Sequence, residues 1–321
     1  MDQNDTLCEY CAKLPFEPGL TSLLRGTYDG PESWPMGTFK EVRSRNCPFC
    51  TLLTSICGNW AEHAGSWRPV VPPGDSENIT ARWFSRGFDA SYHSRPGSFV
   101  CLADNHQEEN RLSARECLDP WINFEEVQRW VSLCRSEHDD CEGLDQSSLN
   151  FKEHRFRLID VKENCIVEVS KSCTYVALSY VWGDPNDRRL LLLLGNRARL
   201  LQANSLGTAS SSIPATIRDA ITATKKLGQR YLWVDSLCLV QDDPDELRDC
   251  VTLMDRIYQE AIFTIVAASG QDAHAGLSGV TPTTRNTQRL VKEIIPGLRM
   301  TIIQDLDSWL RPSKYSQRGW T

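Results

Sequence analysis

From about residue 151 onward, apolar and polar positions alternate between two periods, one suited to strands and one to helices. Residues 156–161 and 165–169 alternate apolar and polar side chains, as the arms of a half-buried hairpin do. Residues 176–180, 231–234 and 262–268 are continuous apolar runs, the pattern of strands covered on both faces. Between the first two of these runs, Pro214 opens a helix with an inner stripe of Ile217, Ala220, Ile221, Thr224 and Leu227. Gly228 closes it where a left-handed residue is wanted. Asp243 caps a second helix with Pro244 in its first turn. Its expected inner face is Leu247, Val251, Met254, Ile257, Tyr258 and Ala261. Strand, helix, strand, helix, strand predicts parallel pairing through right-handed crossovers. A further hairpin is expected over residues 291–295 and 300–303. The expected fold class is therefore α/β: a mostly parallel sheet flanked by helices, preceded by a small Cys-rich N-terminal region.

The first half reads differently. Residues 1–65 hold two Cys-x-x-Cys pairs, and residues 66–150 mix turn-rich segments with one clear helix. That helix starts near Asn123, with Glu126 three residues on in a capping-box pattern, and places Val127, Trp130, Val131 and Cys134 on one face. The expected division is 1–65, 66–150 and 151–321, with residues 207–212 a short polar linker.

Composition narrows the function classes. Of 321 residues, 40% are hydrophobic and 24% charged, ordinary for a globular chain. A net charge of -7 argues against a general nucleic-acid-binding surface. No apolar run approaches the roughly 20 residues of a membrane span, and no secretory signal opens the chain. The expected setting is the cytoplasm, where thirteen cysteines more often bind metal or stay buried as thiols than form disulfides.

Cys8, Cys11, Cys47 and Cys50 have the spacing of a four-thiolate zinc site, because two intervening residues let both sulfurs of a pair reach one ion. Four cysteines buried as small apolar residues is the plainer alternative, and Cys57 could replace one of the four. Cys134, His138 and Cys141 are a weaker second set, spaced for one helix face but one ligand short. Cys117 or an acidic residue could complete it, or the three could join the N-terminal cysteines. A helix stripe packed on the core, with His138 bonded to backbone, is the favoured reading of them.

Ligands of parallel α/β sheets sit beyond the carboxyl ends of the strands. Ser179, Tyr180, Trp182 and Gly183 end one expected strand, and Asp235 and Ser236 end the next, so both sets should face one crevice. Asp184, Asp242 and Asp243 would add negative charge there, raising one carboxyl toward a general base. Packing roles for Trp182 and loop capping by Asp235 and Ser236 are the alternative. Cys238 lies in an apolar run that would leave its thiol inert. Dinucleotide, P-loop, zinc-protease and α/β-hydrolase motifs are absent from the sequence.

Residues 175–183, 213–220, 231–243, 254–268 and 318–321 occur in the order found in the fungal heterokaryon incompatibility (HET) domain, which the chain resembles over roughly residues 173–321. The N-terminal cysteine pairs and the segment from Trp130 to Cys141 look like the leader region of such proteins. The resemblance implies a fungal protein of self/non-self recognition, with protein partners, self-association and programmed cell death as its output. It also brings a comparison with TIR domains, which are flavodoxin-like folds, some of which cleave NAD. The comparison itself transfers no chemistry; in an enzyme reading of the crevice at the strand ends, Asp235, Ser236 and Trp182 would be catalytic, and Ser179, Tyr180 and Gly183 would bind ligand. The enzyme reading is an NAD or nucleotide glycohydrolase; a third reading is a zinc-stapled protein-binding module. The chain departs from the family at Leu247 and Cys250, where Trp and Glu are usual. It also stops where the family continues into a Gln-Glu pair, so a truncated domain is expected.

Overall fold

The computed structural model describes residues 6–16, 30, 31, 33–62, 76, 78–84, 87–91, 99–103, 113, 114, 119–137, 156–169, 173–281, 285, 290–303, 310, 311 and 313–318. The chain forms two compact units. One comprises Met1–Leu118 and Thr287–Pro312, the other Asp119–Asn286 and Ser313–Thr321.

The first unit is built on β1 (Ser33–Thr38), β2 (Asn78–Phe84), β3 (Gly87–Ser91), β4 (Phe99–Ala103) and the short β5 (Ser113–Ala114). The expected hairpin forms as Val291–Ile295 and Leu298–Ile303, and it pairs here. Its second arm lies antiparallel to β4, with Met300 opposite Leu102. Helix Phe39–Ser44 begins in a reciprocal capping box. Thr38 Oγ1 accepts from the Glu41 amide and Glu41 Oε2 accepts from the Thr38 amide, so two donors at the helix start are satisfied locally. Helix Pro48–Glu62 follows. The buried core gathers Cys11, Met36, Val42, Phe49, Leu53, Ile79 and Met300 into one cluster.

The second unit holds β6 (Phe156–Asp160), β7 (Cys165–Val169), β8 (Val176–Ser179), β9 (Tyr231–Trp233) and β10 (Thr264–Val266), in the order β10-β8-β9-β6-β7. The expected parallel pairing is confined to β10-β8-β9. The β9-β6 and β6-β7 pairs are antiparallel, so the sheet is mixed rather than mostly parallel. The cause is local: the β6-β7 hairpin docks its first arm directly on β9, with Ile159 opposite Leu232.

Helix Ala215–Lys226 connects β8 to β9 and buries Ile217, Ala220, Ala223 and Thr224. Gly228 beyond it has φ +73°, as expected of its closing residue. The helix expected to run from Asp243 to Ala261 is instead two, Pro244–Thr252 and Met254–Gln259. Thr252 Oγ1 donates to the Asp249 carbonyl at 2.6 Å. That carbonyl is the one the Leu253 amide would use to continue the helix, and the amide turns to Cys250 O at 3.1 Å. Val251, expected inside, is 44% exposed. Residues 207–212, expected as a linker, contribute to a helical turn at Ser205–Thr208 and a tighter one at Ser210–Ser212. Asn123 does cap helix Phe124–Glu137, accepting from the Glu126 amide at 3.2 Å. The expected inner face is only half-buried, however, and Trp130 is 57% exposed.

A buried ion pair ties the antiparallel side of this sheet to helix Pro244–Thr252. Arg157 on β6 grips both oxygens of Glu246 at 2.6 and 2.7 Å and donates to Cys238 O at 3.0 Å. Glu246 in turn accepts from the Val240 amide at 2.8 Å.

Candidate functional site

β8 and β9 lie side by side and parallel, so the residues that follow them emerge at the same edge of the sheet. Trp182 Nε1 donates to Asp235 Oδ2 at 2.8 Å, and the Ser236 amide donates to Asp235 Oδ1 at 2.7 Å. One layer deeper, the Tyr180 hydroxyl donates to Ser236 Oγ at 2.9 Å. The Tyr180 and Trp182 rings stack with centroids 6.5 Å apart and planes 18° from parallel. The two strand ends are thus joined twice, once in the core and once at the surface.

Gly183 makes the turn that follows. Its φ is +88°, and a Cβ there would lie 2.6 Å from Asp272 Cβ, so both conformation and space call for glycine.

Beyond these strand ends opens a cleft of about 650 Å³. Ser179, Trp182 and Asp235 line it from the strand ends, Met254, Asp255 and Tyr258 from a helix, and Thr264 and Val266 from β10. Tyr315 and Arg318 line it from the segment 313–318. Of the residues singled out from sequence, Tyr180 and Ser236 lie beneath the cleft, buried, and Gly183 shapes the turn. The expected acidic supplement does not gather there. Asp184 turns to the Asn186 amide, Asp242 accepts from the Leu194 amide, and Asp243 caps its helix. These side chains satisfy nearby backbone donors, and Asp255 supplies the second acid of the lining instead.

Removal from water raises the Asp235 carboxyl above the ordinary carboxylate value, against the pull of its bonds from Trp182, Ser236 and Tyr180 and the charge of Arg318. Burial likewise raises the Tyr180 phenol well above its usual range, with the nearby Asp235 adding to the effect. Asp235 thus sits at the rim of the cleft with its orientation fixed by an indole donor. Cys238 lies buried in its apolar run, and burial pushes its thiol up to about 12.

Met254, Tyr258, Val266, Tyr315 and Arg318 were not singled out for the cleft from sequence. Tyr258 appeared only as a helix-face residue, and Arg318 only within the closing motif. Nothing local marks Tyr315, whose hydroxyl lies 3.0 Å from Ser179 Oγ, 136 residues away in sequence.

A second centre lies in the first unit. The sulfurs of Cys8, Cys11, Cys47 and Cys50 all fall within 4.8 Å of one another. Cys50 Sγ is 3.7 Å from Cys8 Sγ and 3.5 Å from Cys11 Sγ. A disulfide would need about 2.05 Å, whereas thiolates around a zinc ion at about 2.3 Å stand about 3.8 Å apart. All four are free thiols, three of them buried. Donation from the Cys11 and Cys50 thiols, aided by the backbone amides of Cys50 and Cys8, pulls Cys47 far below its usual value. Bonding to Cys47 and Cys50, with burial, pushes Cys11 far above it. The donor set fits a soft divalent cation whose charge all four sulfurs would share. In the weaker second set, Cys134 is half-buried on its helix, while His138 and Cys141 lie outside the described residues.

Residues 175–321 match the family model described as heterokaryon incompatibility protein (HET). No curated protein and no solved structure matches the chain.

Proposed function

Residues 175–321 being a heterokaryon incompatibility domain, we propose that the chain works inside a fungal cell as a self/non-self recognition protein. On this reading it relays contact between incompatible strains, through protein partners, into growth arrest and programmed cell death. The observation that carries it is the double join of Trp182 to Asp235 and Tyr180 to Ser236. It lies wholly within the matched residues and fixes the rim of the cleft. The four-cysteine cluster takes the part of a zinc staple that rigidifies the first unit as a platform for partners. The test is inducible expression in a filamentous fungus. Wild-type protein should arrest growth, and folded Trp182→Ala protein should not. Equal arrest by both would dismiss the site, and no arrest by wild type would dismiss the reading.

One observation favours a second reading, a nucleotide or NAD glycohydrolase: the fixed orientation of Asp235, held by the Trp182 indole, in a cleft with aromatic walls. There Trp182 would lie against the base and the Asp235 carboxylate would face the positive charge that develops on the ribosyl carbon. The parallel β10-β8-β9 core is compatible with a TIR-like, flavodoxin-type arrangement. Nicotinamide release from NAD, compared between wild type and Asp235→Asn, tests it. Turnover no faster than that of the variant would remove it.

A further inference from the structure

We propose that the free edge of β10 takes an added strand from a partner protein, an extended segment that carries an apolar side chain into the cleft and a basic one to Asp255. The inference rests on the reading that the chain works through protein partners, and it names where a partner docks and what kind of segment it offers.

β10 is the end strand of its sheet and pairs with β8 alone. The parallel register sets Thr264 opposite Ala177 and Val266 opposite Ser179. The bonds to β8 come from the residues on either side of these two. Phe263 O accepts from the Ala177 amide at 3.2 Å, and the Ala267 amide donates to Ser179 O at 2.9 Å. Backbone groups alternate in direction along a paired strand, so Thr264 and Val266 turn their N–H and C=O away from β8. Two donors and two acceptors thus stand in a row along an open edge, and no strand meets them among the described residues. Folded proteins commonly guard such an edge with a charge or a proline. Residues 261–268 contain neither, and all three residues of β10 are β-branched, which suits them to pairing. Val266 stays 45% exposed.

The edge and the cleft are continuous. Thr264 and Val266, two apart on one strand, both line the cleft, as does Ser179 beside Val266. A segment added along β10 therefore points every second side chain into it. A small molecule would leave the row of backbone groups unmet, whereas an extended backbone satisfies them and fills the cleft with its own side chains. Two features select those side chains. Met254, Tyr258 and Val266 give the lining an apolar part, which suits a residue of valine or leucine size. Asp255 gives it an exposed carboxylate with no ion-pair partner among the described residues, while the charge of Arg318 acts on Asp235. A lysine or arginine on the added segment supplies the missing charge, so a basic segment fits better than an acidic one. A second copy of β10 brings no such charge, because residues 261–268 are uncharged.

The test uses the full chain and, as probe, an acetylated heptapeptide of alternating valine and lysine. Hydrogen exchange is read by nuclear magnetic resonance at the Thr264 and Val266 amides. The peptide at about 1 mM should slow exchange there by about tenfold or more, and its counterpart of alternating valine and glutamate by no more than about twofold. Asp255→Asn should weaken the lysine peptide about two- to fivefold. Thr264→Pro, which removes one outward N–H, should lose the peptide, while Thr264→Val keeps that N–H and should keep most of the binding. Urea denaturation establishes that both fold. Probes N-methylated at every valine or at every lysine need no variant of the protein: one of the two should bind and the other should not. Binding without protection of the two amides, both methylated probes behaving alike, or no protection by the lysine peptide would overturn strand addition. Equal protection by the glutamate peptide would overturn the basic partner. Protection that grows with the concentration of the chain alone would give the edge to a second copy and overturn the proposal as well. The fungal assay separates this outcome from that of the recognition reading. Arrest by wild type and equally by folded Thr264→Pro would leave recognition standing without this edge. No arrest by wild type would remove recognition, while exchange at the two amides still decides the edge.

Discussion

Replacing Glu246 with alanine should cost the second unit a large share of its stability, because it strands a guanidinium in the core. The Arg157 side chain is 3% exposed and that of Glu246 11%, so neither charge can turn to water. Breaking such a pair by removing one partner costs about 3–5 kcal/mol. The Val240 amide also loses its acceptor, worth roughly 1 kcal/mol. Glu168, whose Oε1 lies 3.7 Å from Arg157 Nε, offsets part of this. A net loss of about 3–5 kcal/mol compares with a total of about 5–15 kcal/mol for a typical domain. For a unit of this size it corresponds to a fall in melting temperature of about 6–20 °C. Urea denaturation followed by circular dichroism, together with calorimetry, measures both. The double replacement Arg157→Leu with Glu246→Leu should recover most of the loss, because it leaves no buried charge unpaired. A loss below about 1 kcal/mol in Glu246→Ala, or a double variant as unstable as the single, would show that Arg157 is not stranded by the loss of its partner.

Three further outcomes follow from the same geometry. Elemental analysis should find one zinc ion per chain, lost in Cys50→Ser; a full complement in that variant would remove Cys50 from the ligand set. Gly183→Ala should destabilise the second unit by about 1–3 kcal/mol, since alanine meets both a φ of +88° and the Asp272 side chain; an unchanged urea midpoint would contradict this. The third concerns pH. Below the ordinary carboxylate value of 3.8, folded and unfolded chains both keep the Asp235 proton. As pH rises past that value the unfolded chain releases it first, so this contribution to stability is present in acid and lost as pH rises through the raised folded value. Asp235→Asn should therefore flatten the pH dependence of the urea midpoint above about pH 4, and an unaltered profile would count against it.

What could be read from the sequence was what local pattern encodes. The apolar runs ending at Tyr180 and Val234 announce buried parallel strands, and parallel neighbours must deliver Trp182 and Asp235 to one edge. The doubled Cys-x-x-Cys pairs carry the spacing that brings four sulfurs together. Pairings between distant segments left no such trace. Arg157 looks like an ordinary polar position in an alternating strand, and only its 89-residue reach to Glu246 makes it a core ion pair. Tyr315 and Arg318 join the cleft across 136 and 139 residues. The hairpin at residues 291–303 showed its own form but not that its partner would be β4. The break at Leu253 turns on which donor takes the Asp249 carbonyl, a competition that helical periodicity does not register.

At the centre of the site the indole of Trp182 rests on a carboxyl of raised pKa, and nuclear magnetic resonance of the indole Nε1–H against pH observes that contact directly. Trp182→Phe identifies the resonance. Its shift should titrate with a midpoint above 3.8, and the titration should vanish in Asp235→Asn. A resonance indifferent to pH, or one with its midpoint at or below 3.8, would contradict it.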